Sequence, residues 1–177
     1  QHPSCLQKAA QALSTPSFRL EITEDLAGVE WCGILKNIYA VGMGFLDGLN
    51  PGSVNSKAAF LKMSFDEMKR VALKLGSREA TLEGLAGLGD LITTSFTPDS
   101  HNRRLGEMLA LGKKFEDVLD RIGGGIPEGV KSAAILRDMA AKQEFSAPIA
   151  FAVDACIKYP AGIQHFLEDI WKSSNSH

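Results

Sequence analysis

Apolar residues recur every three or four positions along most of the chain, which is the pattern of amphipathic helices. The longest run covers residues 26–49 and is ended by the Asn-Pro-Gly at 50–52, and the next covers 56–75. Shorter helical runs are predicted over about 4–14, 100–112, 115–122, 131–142, 148–159 and 161–172. The chain is therefore predicted to be an all-α bundle of many helices.

One segment departs from this pattern. Residues 18–22 alternate apolar and polar side chains, which is typical of a short β-strand. A single strand cannot satisfy its own backbone or bury a face, so it needs a sheet that the rest of this chain does not predict. Residues 1–24 are therefore interpreted as the end of a missing N-terminal domain, 25–172 as a helical domain and 173–177 as a disordered tail.

The helix predicted over 26–49 has two different faces. Its apolar residues form one stripe that suits a core. The opposite face carries Gly33, Lys36 and Asn37, and the helix also contains Gly42 and Gly44. A glycine inside a helix costs about 1 kcal/mol relative to alanine, so these glycines indicate close approach by another backbone or by a ligand. Either Lys36 and Asn37 project into a narrow space, or the helix packs tightly and Lys36 reaches solvent.

A candidate carboxylate partner for this lysine is Asp90. The glycine-rich run at 84–89 lets the chain turn sharply before Asp90, which starts a helix. The spacing of these glycines does not match a dinucleotide fingerprint. Burial disfavours a charged lysine and a nearby carboxylate favours it, so such a pair suits general acid–base chemistry. Alternatively, Asp90 only caps its helix, and Thr94 one turn later is an ordinary helix hydroxyl.

Two further segments carry candidate ligand contacts. The helix that begins after Ser100 gathers donors in its first turn, at His101, Asn102 and Arg103. Free backbone amides and the positive end of the helix dipole make such a start receptive to phosphate, although a solvated basic helix start would look the same. Glu128 follows a glycine-rich run that suits either a mobile flap over a ligand or a plain linker.

Composition narrows the function classes. The 177 residues suffice for one domain with its own core. Hydrophobic residues make up 45% and charged residues 23%, near the average for globular chains, and the net charge is -2. There is no basic excess to indicate a nucleic-acid partner, and no apolar run approaches the roughly 20 residues of a membrane span.

The cysteines exclude other kinds of site. Cys5, Cys32 and Cys156 are odd in number and far apart, so neither a disulfide framework nor a metal site is predicted. Reduced thiols and the absence of a signal-peptide pattern favour a cytoplasmic protein.

Five short motifs follow one another along the chain. They are WCGILKN at 31–37, GLAGLGDL at 84–91, SHNRRLG at 100–106, PEG at 127–129 and API at 147–149. In this order and spacing they resemble the NAD(P)-dependent glycerol-3-phosphate dehydrogenases of bacterial type, whose motifs read CGALKN, GLAGLGDL, SRNRRxG, VEG and MPI. Each motif is weak alone, but the combination is specific and covers nearly the whole chain.

The resemblance implies an all-helical C-terminal domain similar to that of 6-phosphogluconate dehydrogenase relatives. It also implies an N-terminal Rossmann domain that binds NAD or NADP, of which only residues 1–24 remain here. The implied reaction is the reversible reduction of dihydroxyacetone phosphate to sn-glycerol 3-phosphate, an oxidoreductase step in carbohydrate metabolism and phospholipid biosynthesis. Without the Rossmann domain, the chain by itself is expected to be inactive.

The resemblance also implies roles for individual residues. Lys36 matches the catalytic lysine, which donates a proton to the carbonyl oxygen as hydride arrives, and Asp90 would orient it. The implied substrate contacts are Asn37, Thr94, His101, Asn102 and Arg103, with Asn102 at the phosphate. Glu128 and His101 match positions on the cofactor side.

The sequence departs from the family motifs at two places, and one alternative function remains. His101 stands where the family has arginine, and because histidine is mostly neutral at pH 7 and lacks the guanidinium fork, weaker substrate or cofactor binding is predicted. Met63-Ser64 stands where bacterial members have Arg-Gly, with no firm consequence. The alternative function is a non-catalytic helical dimerisation or interaction module derived from the family. The choice between NAD and NADP, and whether the chain forms a homodimer, stay open.

Overall fold

The computed structural model describes residues 3–49 and 53–174, and it confirms the all-α prediction. The helices are α1 Pro3–Leu13, α2 Leu26–Leu49, α3 Val54–Lys74, α4 Glu79–Glu83, α5 Asp90–Phe96, α6 His101–Ala110, α7 Phe115–Arg121, α8 Glu128–Gln143, α9 Pro148–Lys158 and α10 Phe166–Ser174. A π-helical turn at Leu85–Gly89 joins α4 to α5, and a 3₁₀ segment at Pro160–His165 joins α9 to α10. Within the described ranges, every helix is too short or too polar to cross a membrane.

Helix α2 is at the centre of the molecule. It packs against α3, α5, α6, α8 and α9. Residues 37–47 are all buried, as expected because 38–46 are apolar around the whole circumference of the helix. Phe45 of this stretch meets Phe166 of α10 edge to face, with 5.1 Å between ring centroids. The first half of α2 is less enclosed, so Gly33 and Lys36 remain partly accessible while the second half forms the core.

Glycines allow α2 and α6 to approach closely. A Cβ atom at Gly44 would overlap the carbonyl oxygen of Arg103, and one at Gly106 would overlap the carbonyl oxygen of Val41. The backbones of the two helices are therefore in direct contact, which places the start of α6 beside the middle of α2. Gly33 is different, because no atom lies within 4 Å of a Cβ built there.

Asp25 defines the start of α2. Its Oδ1 accepts a hydrogen bond of 2.9 Å from the backbone N–H of Gly28, and its Oδ2 accepts one of 2.7 Å from the N–H of Arg78. The bond from Arg78, together with others to the same carboxylate, holds the pKa of Asp25 below its ordinary value. One buried carboxylate thus caps α2 and fastens the α3–α4 connection to it.

The strand predicted at 18–22 was wrong. Thr15 and Phe18 exchange backbone hydrogen bonds of 2.8 and 3.2 Å across an isolated bridge, but the residues that follow Phe18 form no strand. The physical reason is the absence of a partner: a strand needs a neighbouring edge for its backbone groups, and the described residues offer none.

Several helix boundaries also differ from the prediction. Helix α8 begins at Glu128, before the predicted start at 131, and the predicted helix over 161–172 is divided into a 3₁₀ segment and α10. Helix α10 continues through Ser174, so the tail predicted at 173–177 is corrected for its first two residues. Its remainder and the Asn-Pro-Gly at 50–52 lie outside the described residues.

Candidate functional site

Lys36 and Asp90 form an ion pair between α2 and α5. The Nζ atom of Lys36 lies 2.6 Å from Oδ2 of Asp90, and their side chains are 22% and 38% exposed. The hydroxyl of Thr94, one turn further along α5, donates to the other carboxylate oxygen at 3.3 Å. Since a lysine ammonium carries three N–H donors, the two that do not face Asp90 remain for a ligand. The structure thus brings together three of the predicted site residues.

The glycine-rich run explains how Asp90 reaches this position. Residues 85–89 form a single π-helical turn, in which the N–H of Gly89 donates to the carbonyl oxygen of Gly84 at 3.2 Å. Gly87 lies directly on the backbone of Leu82, where any side chain would overlap it. This compact turn reverses the chain at the end of α4 and makes Asp90 the first residue of α5.

A second polar group joins α2, α6 and α8. The side-chain amide of Asn37 donates to the carbonyl oxygen of Gly33 at 2.9 Å and to Oε2 of Glu128 at 3.0 Å. Asn102 donates to Oδ1 of Asn37 at 3.0 Å, and its own Oδ1 accepts from the N–H of Gly129 at 2.9 Å. We call these four residues (Asn37, Asn102, Glu128 and Gly129) the amide network. It keeps one N–H of Asn102 unused, so Asn102 can still bind a ligand.

Gly129 is a residue of this network to which the sequence interpretation assigned no role. A Cβ atom there would lie 2.5 Å from the carbonyl oxygen of Asn37 and 2.8 Å from Oδ1 of Asn102. The only signal in the sequence was its place in the motif at 127–129. Glycine at this position lets the start of α8 touch both α2 and the Asn102 side chain.

Arg103 is engaged elsewhere. Its guanidinium pairs with the buried carboxylate of Asp47 and donates to the carbonyl oxygen of Phe96 at 2.8 Å. Lys57 pairs with the same carboxylate. Burial alone would raise the pKa of Asp47, but the hydrogen bonds from Arg103 and Lys57 outweigh burial and hold this pKa below its ordinary value. This arrangement does not support the predicted substrate contact of Arg103, which instead fastens the start of α6 to α2.

His101 is exposed at the start of α6, next to Asn102 in the chain. Within the described residues it has no hydrogen-bond or ion-pair partner. The oxygen of Ser100 caps this helix by accepting from the N–H of Arg103 at 3.3 Å. His101 is thus free to turn toward a ligand at the helix start, and its predicted contacts stay predictions.

Two cavities adjoin these groups. One of about 480 Å³ is lined by residues 19–23, the π-helical turn and Asp90. The other, of about 410 Å³, lies between α2 and α8 and is lined by Gly33, Ile34, Asn37, Glu128, Lys131 and Ser132. The Lys36–Asp90 pair and the amide network therefore each adjoin a cavity large enough for part of a small molecule.

Other chemistries find no support in the described part of the chain. No group of three His, Cys, Asp or Glu side chains there is placed to hold a metal ion. Burial raises the pKa of Cys32 and of Cys156 to about 11, so both thiols stay protonated near neutral pH and are poor nucleophiles. The arrangement suits proton transfer and the binding of a polar, anionic ligand.

Comparison with known proteins agrees with this chemistry. A family model described as the C-terminus of NAD-dependent glycerol-3-phosphate dehydrogenase matches residues 25–168. Two curated relatives named glycerol-3-phosphate dehydrogenase [NAD(P)+] are similar to this chain. The one from Janthinobacterium sp. (strain Marseille) is 39% identical over 85% of this chain and 45% of its own length. The one from Herminiimonas arsenicoxydans is 41% identical over 82% of this chain and 44% of its own length.

Solved structures show the same likeness. A glycerol-3-phosphate dehydrogenase from Coxiella burnetii superposes with a TM-score of 0.88 at 31% identity, covering 97% of this chain and 52% of that one. The DsGPDH of Dunaliella salina superposes with a TM-score of 0.83 at 25% identity, covering 96% of this chain and 30% of that one. The chain thus spans about half the length of the curated relatives it matches, or somewhat less.

Proposed function

Because the chain belongs to the NAD-dependent glycerol-3-phosphate dehydrogenase family, whose C-terminal part it matches, we propose that it is the substrate-binding domain of such an enzyme. The proposed reaction is the reversible reduction of dihydroxyacetone phosphate to sn-glycerol 3-phosphate with NAD(P)H. The observation that carries the proposal is the 2.6 Å pair of Lys36 and Asp90, open to solvent on one side.

Lys36 is proposed as the proton donor. NAD(P)H, when bound, supplies a hydride to the carbonyl carbon of the substrate. The ammonium of Lys36 then gives a proton to the carbonyl oxygen, and in the reverse direction the neutral amine takes a proton from the hydroxyl. Asp90 holds the ammonium in place, and Thr94 fixes the second oxygen of Asp90 so that the carboxylate cannot rotate away.

The amide network is proposed to hold the rest of the substrate. Asn102 has one N–H left, and the first backbone amides of α6 have no partner within their helix. Together with His101 they form a donor-rich surface for the phosphate, where the helix dipole also favours negative charge. Asn37 links this surface to Lys36, its neighbour in the chain, so the phosphate and the reacting carbonyl can be held at once.

The residues on the α8 side fit a nicotinamide cofactor. The cavity between α2 and α8 has polar groups on both walls, and Gly33 leaves it open where a side chain would intrude. Glu128, fixed by Asn37, offers an acceptor for the hydroxyl or amide hydrogens of the cofactor. A non-catalytic helical module would have no use for a partly exposed lysine–aspartate pair, which disfavours the alternative.

The proposal includes a cytoplasmic location and a phosphate-bearing small molecule as ligand. It does not require nucleic acid. Whether the chain forms a homodimer can be measured by light scattering. Gly44 and Gly106 offer no surface to a second copy, because both are covered by contacts inside the chain.

A chimera tests the proposal. Residues 25–177 would replace the matching part of the Herminiimonas arsenicoxydans relative, and NADH oxidation would be followed at 340 nm. We expect turnover with dihydroxyacetone phosphate and none with dihydroxyacetone, since the proposed site includes donors that bind the phosphate group. A folded chimera that binds NADH by fluorescence and does not turn over dihydroxyacetone phosphate would contradict the proposal.

A further inference from the structure

We infer that Lys131, with Ser132, is a further cofactor-positioning residue, which binds the phosphate next to the nicotinamide ribose. This inference rests on the proposed function, because it assumes a nicotinamide nucleotide in the cavity between α2 and α8. We call that cavity the α2–α8 cleft. Neither the sequence interpretation nor the mechanism above assigned any role to these two residues.

The first observation is the shape and lining of the α2–α8 cleft. It has a volume of about 410 Å³ and polar residues on both walls, with Asn37 from α2 and Glu128, Lys131 and Ser132 from α8. Such a mixture of one cation, one anion, an amide and a hydroxyl suits a ligand that is polar at several points. Water-filled crevices of this composition also occur on surfaces, so the cleft alone decides nothing.

The second observation is Gly33. At Gly28, Gly42, Gly44 and Gly48, the other glycines of α2, an added Cβ would overlap neighbouring atoms, which explains why those positions lack a side chain. At Gly33 an added Cβ would meet nothing within 4 Å. A glycine within a helix costs about 1 kcal/mol relative to alanine, and here packing gives no compensation. A ligand that needs the space above Gly33 accounts for that cost.

The third observation is that Lys131 is not used by the fold. It is the fourth residue of α8, near the positive end of the helix dipole, where a cation is unfavourable. It is exposed, and among the described residues it has no hydrogen bond or ion pair, even with Glu128 one turn earlier. Nothing in the structure offsets the unfavourable position, so an anionic ligand is the remaining source of compensation.

The order of charges along α8 indicates which part of the ligand Lys131 binds. Glu128 accepts a hydrogen bond from Asn37, the chain neighbour of Lys36, so it suits the carboxamide or ribose hydroxyls near the reacting carbon. Lys131 lies one turn farther along and suits an anion at that distance from them. Nicotinamide mononucleotide has this sequence of groups: carboxamide, ribose and then phosphate.

The 177-residue chain can be tested with two probes that differ only in that phosphate. The probes are nicotinamide mononucleotide and nicotinamide riboside, titrated separately while amide shifts of Gly33 and Ser132 are followed by NMR. We expect the mononucleotide to bind the wild-type chain about five- to tenfold more tightly, which is the size of a partly exposed charge-assisted contact. Lys131→Gln should reduce this ratio to about one, and Lys131→Arg should keep it.

Lys142→Gln is the matched control, because it removes an exposed lysine from the last turn of the same helix. It should leave the ratio unchanged. The inference is overturned if the two probes bind the wild-type chain equally, if the ratio survives Lys131→Gln, or if neither probe shifts Gly33 and Ser132. A parallel titration with dihydroxyacetone phosphate, read at Lys36 and Asn102, reports on the proposed function separately.

Discussion

Replacing Asn102 by alanine tests whether the amide network holds α2, α6 and α8 together. The substitution removes the donor to Oδ1 of Asn37 and the acceptor for the N–H of Gly129. Both partners are then left in a largely closed region, since Asn37 and Asn102 are 7% and 9% exposed. A buried polar group without a partner costs about 1–3 kcal/mol.

Two such groups set the expected magnitude. Water can reach the network from the exposed side of Glu128 and can hydrogen-bond to Asn37 in place of the lost amide, which lowers the cost of leaving Asn37 without its partner. We therefore expect Asn102→Ala to lower the free energy of unfolding by about 2–4 kcal/mol in total. Urea unfolding of the 177-residue chain, followed by circular dichroism at 222 nm, measures this change. The slope of the free energy of unfolding against urea concentration should equal that of the wild type, which would show that the substitution leaves the surface exposed on unfolding unchanged.

Asn55→Ala provides the matched control, because Asn55 is exposed near the start of α3. It should change the free energy of unfolding by no more than about 0.5 kcal/mol. Combining Asn102→Ala with Asn37→Ala should give a coupling energy of about 0.5–3 kcal/mol. Additive effects of the two substitutions, or an Asn102→Ala cost equal to that of the control, would refute the account of the network.

Four other substitutions test separate parts of the account. Gly106→Ala should lower the free energy of unfolding by about 1–3 kcal/mol or more, because the added Cβ would overlap the backbone of α2. Gly33→Ala should raise the free energy of unfolding by up to about 1 kcal/mol, because the added Cβ meets no neighbouring atom. Equal effects of the two substitutions in urea titrations would argue against the packing described. Glu67 of α3 is buried and accepts hydrogen bonds from the N–H groups of Ile149 and Ala150 at the start of α9. Burial raises the pKa of Glu67 from 4.5 to about 7, so between these pH values the folded chain binds a proton that the unfolded chain has released. The unfolding free energy of the wild type should therefore fall relative to Glu67→Gln as pH rises through this window, and parallel pH profiles would contradict it. His101→Arg in the chimera should lower the KM for dihydroxyacetone phosphate, because a guanidinium binds phosphate with two charged hydrogen bonds; an unchanged KM refutes this expectation.

Local sequence patterns predicted much of the fold. The 3.6-residue period and the capping residues are local properties, so α2, α6 and α9 begin and end within about two residues of their predicted bounds. The residues alone left Asp90 either as the partner of Lys36 or as a helix cap, and only the family resemblance selected the pairing. Nothing in the local sequence relates two positions that are 54 residues apart.

The failures have a common physical cause, which is dependence on distant neighbours. The alternation at 18–22 satisfies the pattern of a strand, but strand formation needs an edge that no local pattern reports. The ion pair of Arg103 with Asp47, on another helix, was likewise not predicted, because no local pattern relates the two positions; the substrate contact of Arg103 stays a prediction. Gly33 and Gly44 lie in the same helix, and only tertiary contacts distinguish the glycine that packs from the glycine that faces open space.

The most direct test of the central claim is the turnover number of the chimera after Lys36→Met, with Lys62→Met as the control. Lys62 is an exposed lysine that pairs with Asp66 on α3, far from the proposed chemistry in the chain. If Lys36 donates the proton, its loss should reduce the turnover number by about 10²–10⁴-fold, while NADH binding and the rate of the control stay near those of the parent chimera. A Lys36→Met chimera that turns over as fast as the control would contradict the account.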